Sequence, residues 1–231
     1  VCFEPGVTAM YPEGFETVVT VPGIARRWEG ELRPHHFAGV ATVVTKLFGL
    51  VRPDIAVFGQ KDFQQAALVR RVIDDLSLGV KLVVHPTVRE RDGLAMSSRN
   101  KYLDAEQRQQ ALALHTALCA AAEQSDTADS AVAAASAALH HAGLTPDYLT
   151  IIGEDFTAIP EAGAARMLVA CKVGDVRLID NMPMVLGRAA AAGAEEAAEA
   201  PAAAPLTAAA APTEAAAAAP TSTTAEPGTV R

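Results

Sequence analysis

The stretch Asp54–Thr87, DIAVFGQKDFQQAALVRRVIDDLSLGVKLVVHPT, decides the fold. DIAVFG (Asp54–Gly59) is a short apolar run with turn residues at both ends, which suits a buried parallel strand. From about Asp62 to Leu76 the period changes, and Val69, Val72, Ile73 and Leu76 fall on one helical face. VKLVVHPT (Val80–Thr87) reads as a second buried strand. Strand, helix and strand in so short a span form a βαβ unit, which implies a parallel sheet with a right-handed crossover. Ligands of such sheets bind outside the carboxyl ends of the strands. Here those ends carry GQKDFQQ (Gly59–Gln65) and PTVRERDGLAMSSR (Pro86–Arg99).

Those two loops place Lys61 and Arg99 where one ligand can touch both. Gly59 permits close approach of backbone at the strand end. Ser97 and Ser98 supply hydroxyls, and the Arg99 guanidinium forks onto phosphate oxygens. A plainer reading stands beside this one. Asp62 can be an N-cap of the helix that follows it, Lys61 a solvated cation, and GLAMSSRNKYLDAEQR (Gly93–Arg108) a polar turn leading into a helix.

Upstream, ETVVTVPG (Glu16–Gly23) is β-branched and alternating, and predicts a short strand. From Pro34, Phe37, Val40, Ala41, Val44, Leu47, Phe48 and Val51 predict an amphipathic helix that ends before RPD. Downstream, Asp104 and Gln107 form a capping-box pattern for a helix to about Glu123, with Ala111, Leu114, Leu118 and Ala121 inward. A second helix covers about Thr127–His141, and PDYLTII (Pro146–Ile152) reads as a strand. ARMLVACKV and VRLIDNM flank Gly174–Asp175 as a hairpin. The expected organisation is an α/β parallel-sheet portion over residues 1–87, a small α+β domain over 88–187, and a tail over 188–231. That tail has no aromatic residue and its helix-favouring alanines are broken by Pro201, Pro205, Pro212, Pro220 and Pro227, so it is predicted to be disordered.

The net charge of −8 gives no global basic field for nucleic acid, although local cations can still bind one small anion. Cys2, Cys119 and Cys171 lie far apart, without a C-x-x-C pair, and are read as buried thiols in a reducing compartment. No run of 18 apolar residues occurs. His140 and His141 read as helix-end residues, His115 and Trp28 as packing residues, and His85 stays ambiguous.

The ordered segments MYPEG, EGELRPHHFAGVATVVTKLFGLVRPDIAVFGQKDFQQ, VRERDGLAMSSRNKYLDAEQR and RLIDN resemble the pantothenate synthetase (pantoate–β-alanine ligase) family, over residues 1 to about 187. The resemblance implies a Rossmann-like, nucleotidyltransferase-type domain followed by a smaller lid domain. It implies that ATP activates the pantoate carboxylate as an acyl-adenylate, releasing pyrophosphate, and that β-alanine then displaces AMP. ATP with Mg2+, pantoate and β-alanine are thus the implied small-molecule partners, in a cytoplasmic homodimer without nucleic-acid or membrane partners. By the same resemblance, Gly59, Gln60, Lys61 and Asp62 form the ATP loop, the Val88 backbone reads adenine, and Met96, Ser97, Ser98 and Arg99 close over the triphosphate. Lys61, Ser97, Ser98 and Arg99 stabilise the transferring phosphate, and Gln65 binds pantoate. Arg33 and His36 line the site.

Two departures stand out. Gln60 replaces the glutamate of the family's usual Gly-Glu-Lys-Asp, which removes a charge. The family's Met-Gly-x-Leu-His-x-Gly-His segment, with a second pantoate-binding glutamine and part of the metal site, is not within these 231 residues. The parallel sheet is therefore expected to lack its first strands and to expose an apolar edge. Another adenylylating relative fits the motifs less well. The alternative that this departure raises is a catalytically incomplete fragment that binds nucleotide weakly or acts only as an interaction module.

Overall fold

The computed structural model describes residues 1–187. Single-turn helices α1 (Val7–Met10), α2 (Pro22–Ala25) and α3 (Glu29–Leu32) precede the long helix α4 (His36–Val51). Strand β1 (Ile55–Gly59), helix α5 (Phe63–Asp75) and strand β2 (Lys81–His85) follow, and β1 pairs with β2 in parallel, Ile55 opposite Lys81 and Gly59 opposite His85. This is the expected βαβ unit.

Its strands are half-covered, not buried on both sides. Ala56 is buried, whereas Ile55 is 55% and Val57 64% exposed. Helices α4 and α5 pack on one face only, where Val44, Phe48, Ala56, Val69, Ile73 and Val80 form a core. The described residues put no element on the other face, so Ile55, Val57 and Val83 stay open to solvent. Leu76 is also exposed, because α5 stops at Asp75 and Leu76 only caps it.

The strand predicted at Glu16–Gly23 does not form. The β-branched run has no neighbouring strand to bond, and Val19 N–H instead donates to Thr42 Oγ1 at 3.0 Å. Val19, Val21 and Ile24 then pack on Phe37, Ala41, Leu68 and Val72.

Beyond β2, helices α6 (Ala105–Glu123) and α7 (Ala128–His141) cover one face of an antiparallel sheet, β3 (Pro146–Gly153), β4 (Gly163–Val173) and β5 (Val176–Leu186), in the order β3-β4-β5. The capping box at α6 is complete: Gln107 N–H donates to Asp104 Oδ1 at 2.8 Å, and Asp104 N–H to Gln107 Oε1 at 3.2 Å. Ala111, Leu114, Leu118 and Ala121 pack inward against Met167, Val169 and Cys171. The two-residue turn at Gly174–Asp175 joins β4 to β5 as predicted. Only Cys171 is a buried thiol; Cys119 is half-buried, and Cys2 is exposed because the first residues pack on little. The predicted tail, residues 188–231, lies outside the described residues.

Candidate functional site

The carboxyl end of β1 opens onto a cavity of about 240 Å³. The turn Gln60–Asp62 and the first turn of α5 supply Lys61, Asp62 and Gln65 to its wall. The segment after β2 supplies Ser97 and Arg99, and the start of α4 and the residues before it supply Arg33 and His36. Two loops that are 30 or more residues apart in sequence thus share one cavity, as the strand ends of a βαβ unit dictate. Gly59, Gln60, Val88, Met96 and Ser98 are not in the wall of this cavity. Gln60 lines a second hollow beside Phe63 and Glu154.

Asp62 is the N-cap residue of α5, yet its side chain makes no cap bond. The plain capping reading fails there, and the carboxylate is left facing the cavity. Ser97 does cap: its Oγ accepts from Arg99 N–H at 3.2 Å, at the start of the 3-10 turn Ser98–Tyr102. The hydroxyl hydrogen is still available to a ligand.

The segment carrying the serines is braced. Arg89 bridges Ala95, and Met96 N–H donates to Val88 C=O at 2.9 Å, which makes a small hairpin. Asn100 Nδ2 donates to Glu90 Oε1 at 2.8 Å and to Ala95 C=O at 3.1 Å. Arg108 on α6 reaches Glu90 and Asp92, both at 2.7 Å. Gly93 turns this hairpin at φ +94°, and a Cβ there would lie 2.3 Å from the His115 ring, so glycine is required both by conformation and by packing on α6.

Residues without an assigned role in the sequence complete the opposite wall. Glu29, buried on α3, accepts from Tyr148 Oη at 3.1 Å and from Arg177 Nη1 at 2.9 Å. Arg177 also pairs with Asp147. Gly30 lets α3 sit against α2, since a Cβ there would fall 1.8 Å from Ala25 C=O. Gln64 fixes the approach: its Nε2 donates to Ile24 and Arg27 carbonyls at 2.8 and 2.7 Å, and its Oε1 accepts from Glu29 N–H at 3.3 Å. Gln64 is thus a buried brace, and its neighbour Gln65 faces the cavity. RLIDN (Arg177–Asn181) was the available signal for Arg177, Asp180 and Asn181, but Arg89, Glu29 and Gln60, which they meet at the site, lie over 90 residues away.

Burial, and then the positive charge of Arg33, pull the His36 pKa below its ordinary 6.5, against the opposing pull of Glu29 and Asp62. The imidazole is therefore neutral at pH 7. Desolvation first, and then the Glu29 carboxylate, push the Tyr148 phenol well above its usual range, so it donates and does not ionise. The side of the cavity that carries Lys61 and Arg99 suits an anion. Among the described residues no three His, Cys, Asp or Glu side chains cluster as a metal site, and no helix is long and apolar enough to cross a membrane. His140 and His141 end α7 as exposed residues.

A family model described as pantoate-beta-alanine ligase matches residues 1–183. A pantothenate synthetase from Nocardioides sp. is 52% identical over 200 residues, covering 84% of this chain and 60% of that protein. One from Nocardia farcinica is 48% identical over 187 residues, covering 80% of this chain and 59% of that protein. The chain therefore spans about three fifths of the length of these relatives. The crystal structure of pantothenate synthetase from Thermus thermophilus superposes with a TM-score of 0.73 at 46% identity, covering 77% of this chain and 67% of that one. A pantoate-beta-alanine ligase from Francisella tularensis, solved in complex with beta-gamma ATP and beta-alanine, superposes with a TM-score of 0.61 at 29% identity, covering 76% of this chain and 61% of that one.

Proposed function

The chain belongs to the pantoate-beta-alanine ligase family, and from that premise we propose that it carries much of the site that joins pantoate to β-alanine at the expense of ATP. The observation that carries this reading is the shared cavity: Lys61, Asp62 and Gln65 from one loop face Ser97 and Arg99 from the other. In the proposed reaction a pantoate carboxylate oxygen attacks the α-phosphorus of ATP, and the bond to the β-phosphate oxygen breaks. Pantoyl adenylate and pyrophosphate result. The β-alanine amine then attacks the acyl carbon, the acyl–oxygen bond breaks, the amine loses a proton, and AMP leaves.

Each residue acts by position and charge. Lys61 and Arg99 balance the growing negative charge on the phosphates from opposite sides, in a half-enclosed cavity where charges are poorly screened. The Ser97 hydroxyl donates to a phosphate oxygen, and Ser98 and Met96 adjoin it on the same loop. Asp62, free of capping work, takes the ribose beside the Gly59 and Gln60 backbone, and Val88 offers its N–H to adenine. Gln65 holds pantoate with its amide, near Arg33 and a neutral His36. The cations of the wall fit phosphate charge, and Asp62, one of the wall's carboxylates, would meet a magnesium ion carried by the triphosphate. In this reading residues 1–87 bind the substrates, residues 88–187 cover them, and the working assembly is a homodimer, which light scattering would weigh.

The test is pantoate-dependent exchange of labelled pyrophosphate into ATP, run on this chain and on the chain extended with residues encoded upstream of Val1. Exchange that requires pantoate but not β-alanine is expected in the extended form. Exchange absent from both forms contradicts the adenylate reading. Binding of ATP by this chain without exchange, unchanged by the extension, would favour the weakly binding fragment.

A further inference from the structure

We infer that Asp180 and Asn181 are positioning residues that brace both phosphate-facing loops from one point on β5; this rests on the ATP reading above. Asn181 is buried, and both ends of its side-chain amide are used. Its Oδ1 accepts from Arg166 Nη1 at 2.9 Å. A guanidinium only donates, so the oxygen must face Arg166 and the nitrogen must face the other way. There Nδ2 donates to Gln60 C=O and to Lys61 C=O, both at 2.9 Å. One side-chain amide thereby pins the two peptide planes that aim Lys61 and Asp62.

Asp180, the residue before it, does the same for the other loop. Its carboxylate accepts from Arg89 Nη1 at 2.6 Å and Nη2 at 3.0 Å, a two-point pairing that fixes direction as well as distance. Arg89 Nη1 also donates to Gly93 C=O at 3.0 Å, at the tip of the hairpin that leads into Ser97 and Arg99. Asn181 N–H donates to Asp180 Oδ1 at 2.7 Å, which ties the two supports together. Lys61 and Arg99 must oppose each other across one triphosphate, and an error of an ångström at either loop costs charge stabilisation. Two adjacent residues on a packed strand set both loops against one reference.

The isosteric variant Asn181→Asp tests this. It keeps an oxygen toward Arg166 and turns a second oxygen toward two carbonyls that it cannot satisfy. Hydrogen–deuterium exchange of the Gly59–Gln65 backbone is expected to quicken about tenfold, with exchange in α6 and α7 unchanged. In the same protein the Kd or KM for ATP should rise about tenfold, while that for pantoate moves less than about threefold. Exchange at Gly59–Gln65 equal to that of the wild type overturns the inference. So does equal weakening for ATP and pantoate, which would mark a general structural role. If Asn181→Asp does not fold, Asn181→Ser removes the same donors without adding charge and gives the same readouts. A wild-type protein that binds no ATP, even with the upstream residues present, overturns the functional reading itself; a wild type that binds ATP no better than the variant does overturns the inference alone.

Discussion

Asp62 shows what a single residue adds once its surroundings are known. Its position predicts a cap, and it stands at the cap position, but its carboxylate bonds nothing there. Lys61 beside it makes no ion pair among the described residues, so both are free to meet a ligand. Lys61→Ala should lower kcat/KM by roughly 10²–10³, the scale for one charge-stabilising group, and leave Tm nearly unchanged. Steady-state kinetics beside a thermal melt check this, and a large fall in Tm would mean that Lys61 holds the fold instead. His36 makes a pH prediction. Its folded pKa lies below the unfolded 6.5, so the unfolded chain takes up the proton first as pH falls. Its contribution to stability is present above pH 6.5 and declines below it. Urea midpoints from about pH 7.5 to 5.5 should fall less steeply in His36→Asn than in the wild type; equal slopes refute the assignment. The thiols sort by position. Cys171 is buried, and desolvation raises its pKa to about 11. A thiol reagent should label Cys2 first and Cys171 only on unfolding, as mass spectrometry of the labelled peptides would show; early labelling of Cys171 would contradict its burial.

The elements differ in how far local pattern fixes them. Removing the Asp104 carboxylate breaks the side-chain half of the α6 capping box, so Asp104→Ala should cost about 1 kcal/mol, within a range of roughly 0.5–2, by urea unfolding. A loss near zero would place the stability of α6 in its packing alone. The capping box is legible because all its parts lie within four residues. So are α4, α5, α6, α7 and the hairpin at Gly174–Asp175, where apolar periodicity and turn residues agree. Glu16–Gly23 misleads for the opposite reason. A β-branched run becomes a strand only beside another strand, and the chain offers it a threonine side chain instead. In the site, Lys61, Asp62, Gln65, Ser97 and Arg99 are legible from the strand ends and the motifs. Glu29, Tyr148, Arg177 and Asn181 are not, because each acts through a partner more than 100 residues away.

Across the described residues, the half-covered parallel pair has a consequence of its own. Ile55 and Val57 present an apolar face that neither α4 nor α5 covers. This chain should bind a hydrophobic dye strongly, and Val57→Lys should reduce the signal without loss of helix by circular dichroism; an unchanged signal would place the dye elsewhere. That face bears on the central question, since the chain spans about three fifths of the length of its relatives. The cavity brings together Lys61, Arg99, Ser97 and Asp62, the groups on which the proposed ATP and pantoate reading rests. The measurement that tests this most directly is AMP release from ATP, with pantoate and β-alanine omitted in turn, by this chain and by the chain extended upstream of Val1. Release is expected to need all three substrates in the extended form and to fall at least about a hundredfold in Lys61→Ala. Release by neither form, or release indifferent to pantoate, would contradict that reading.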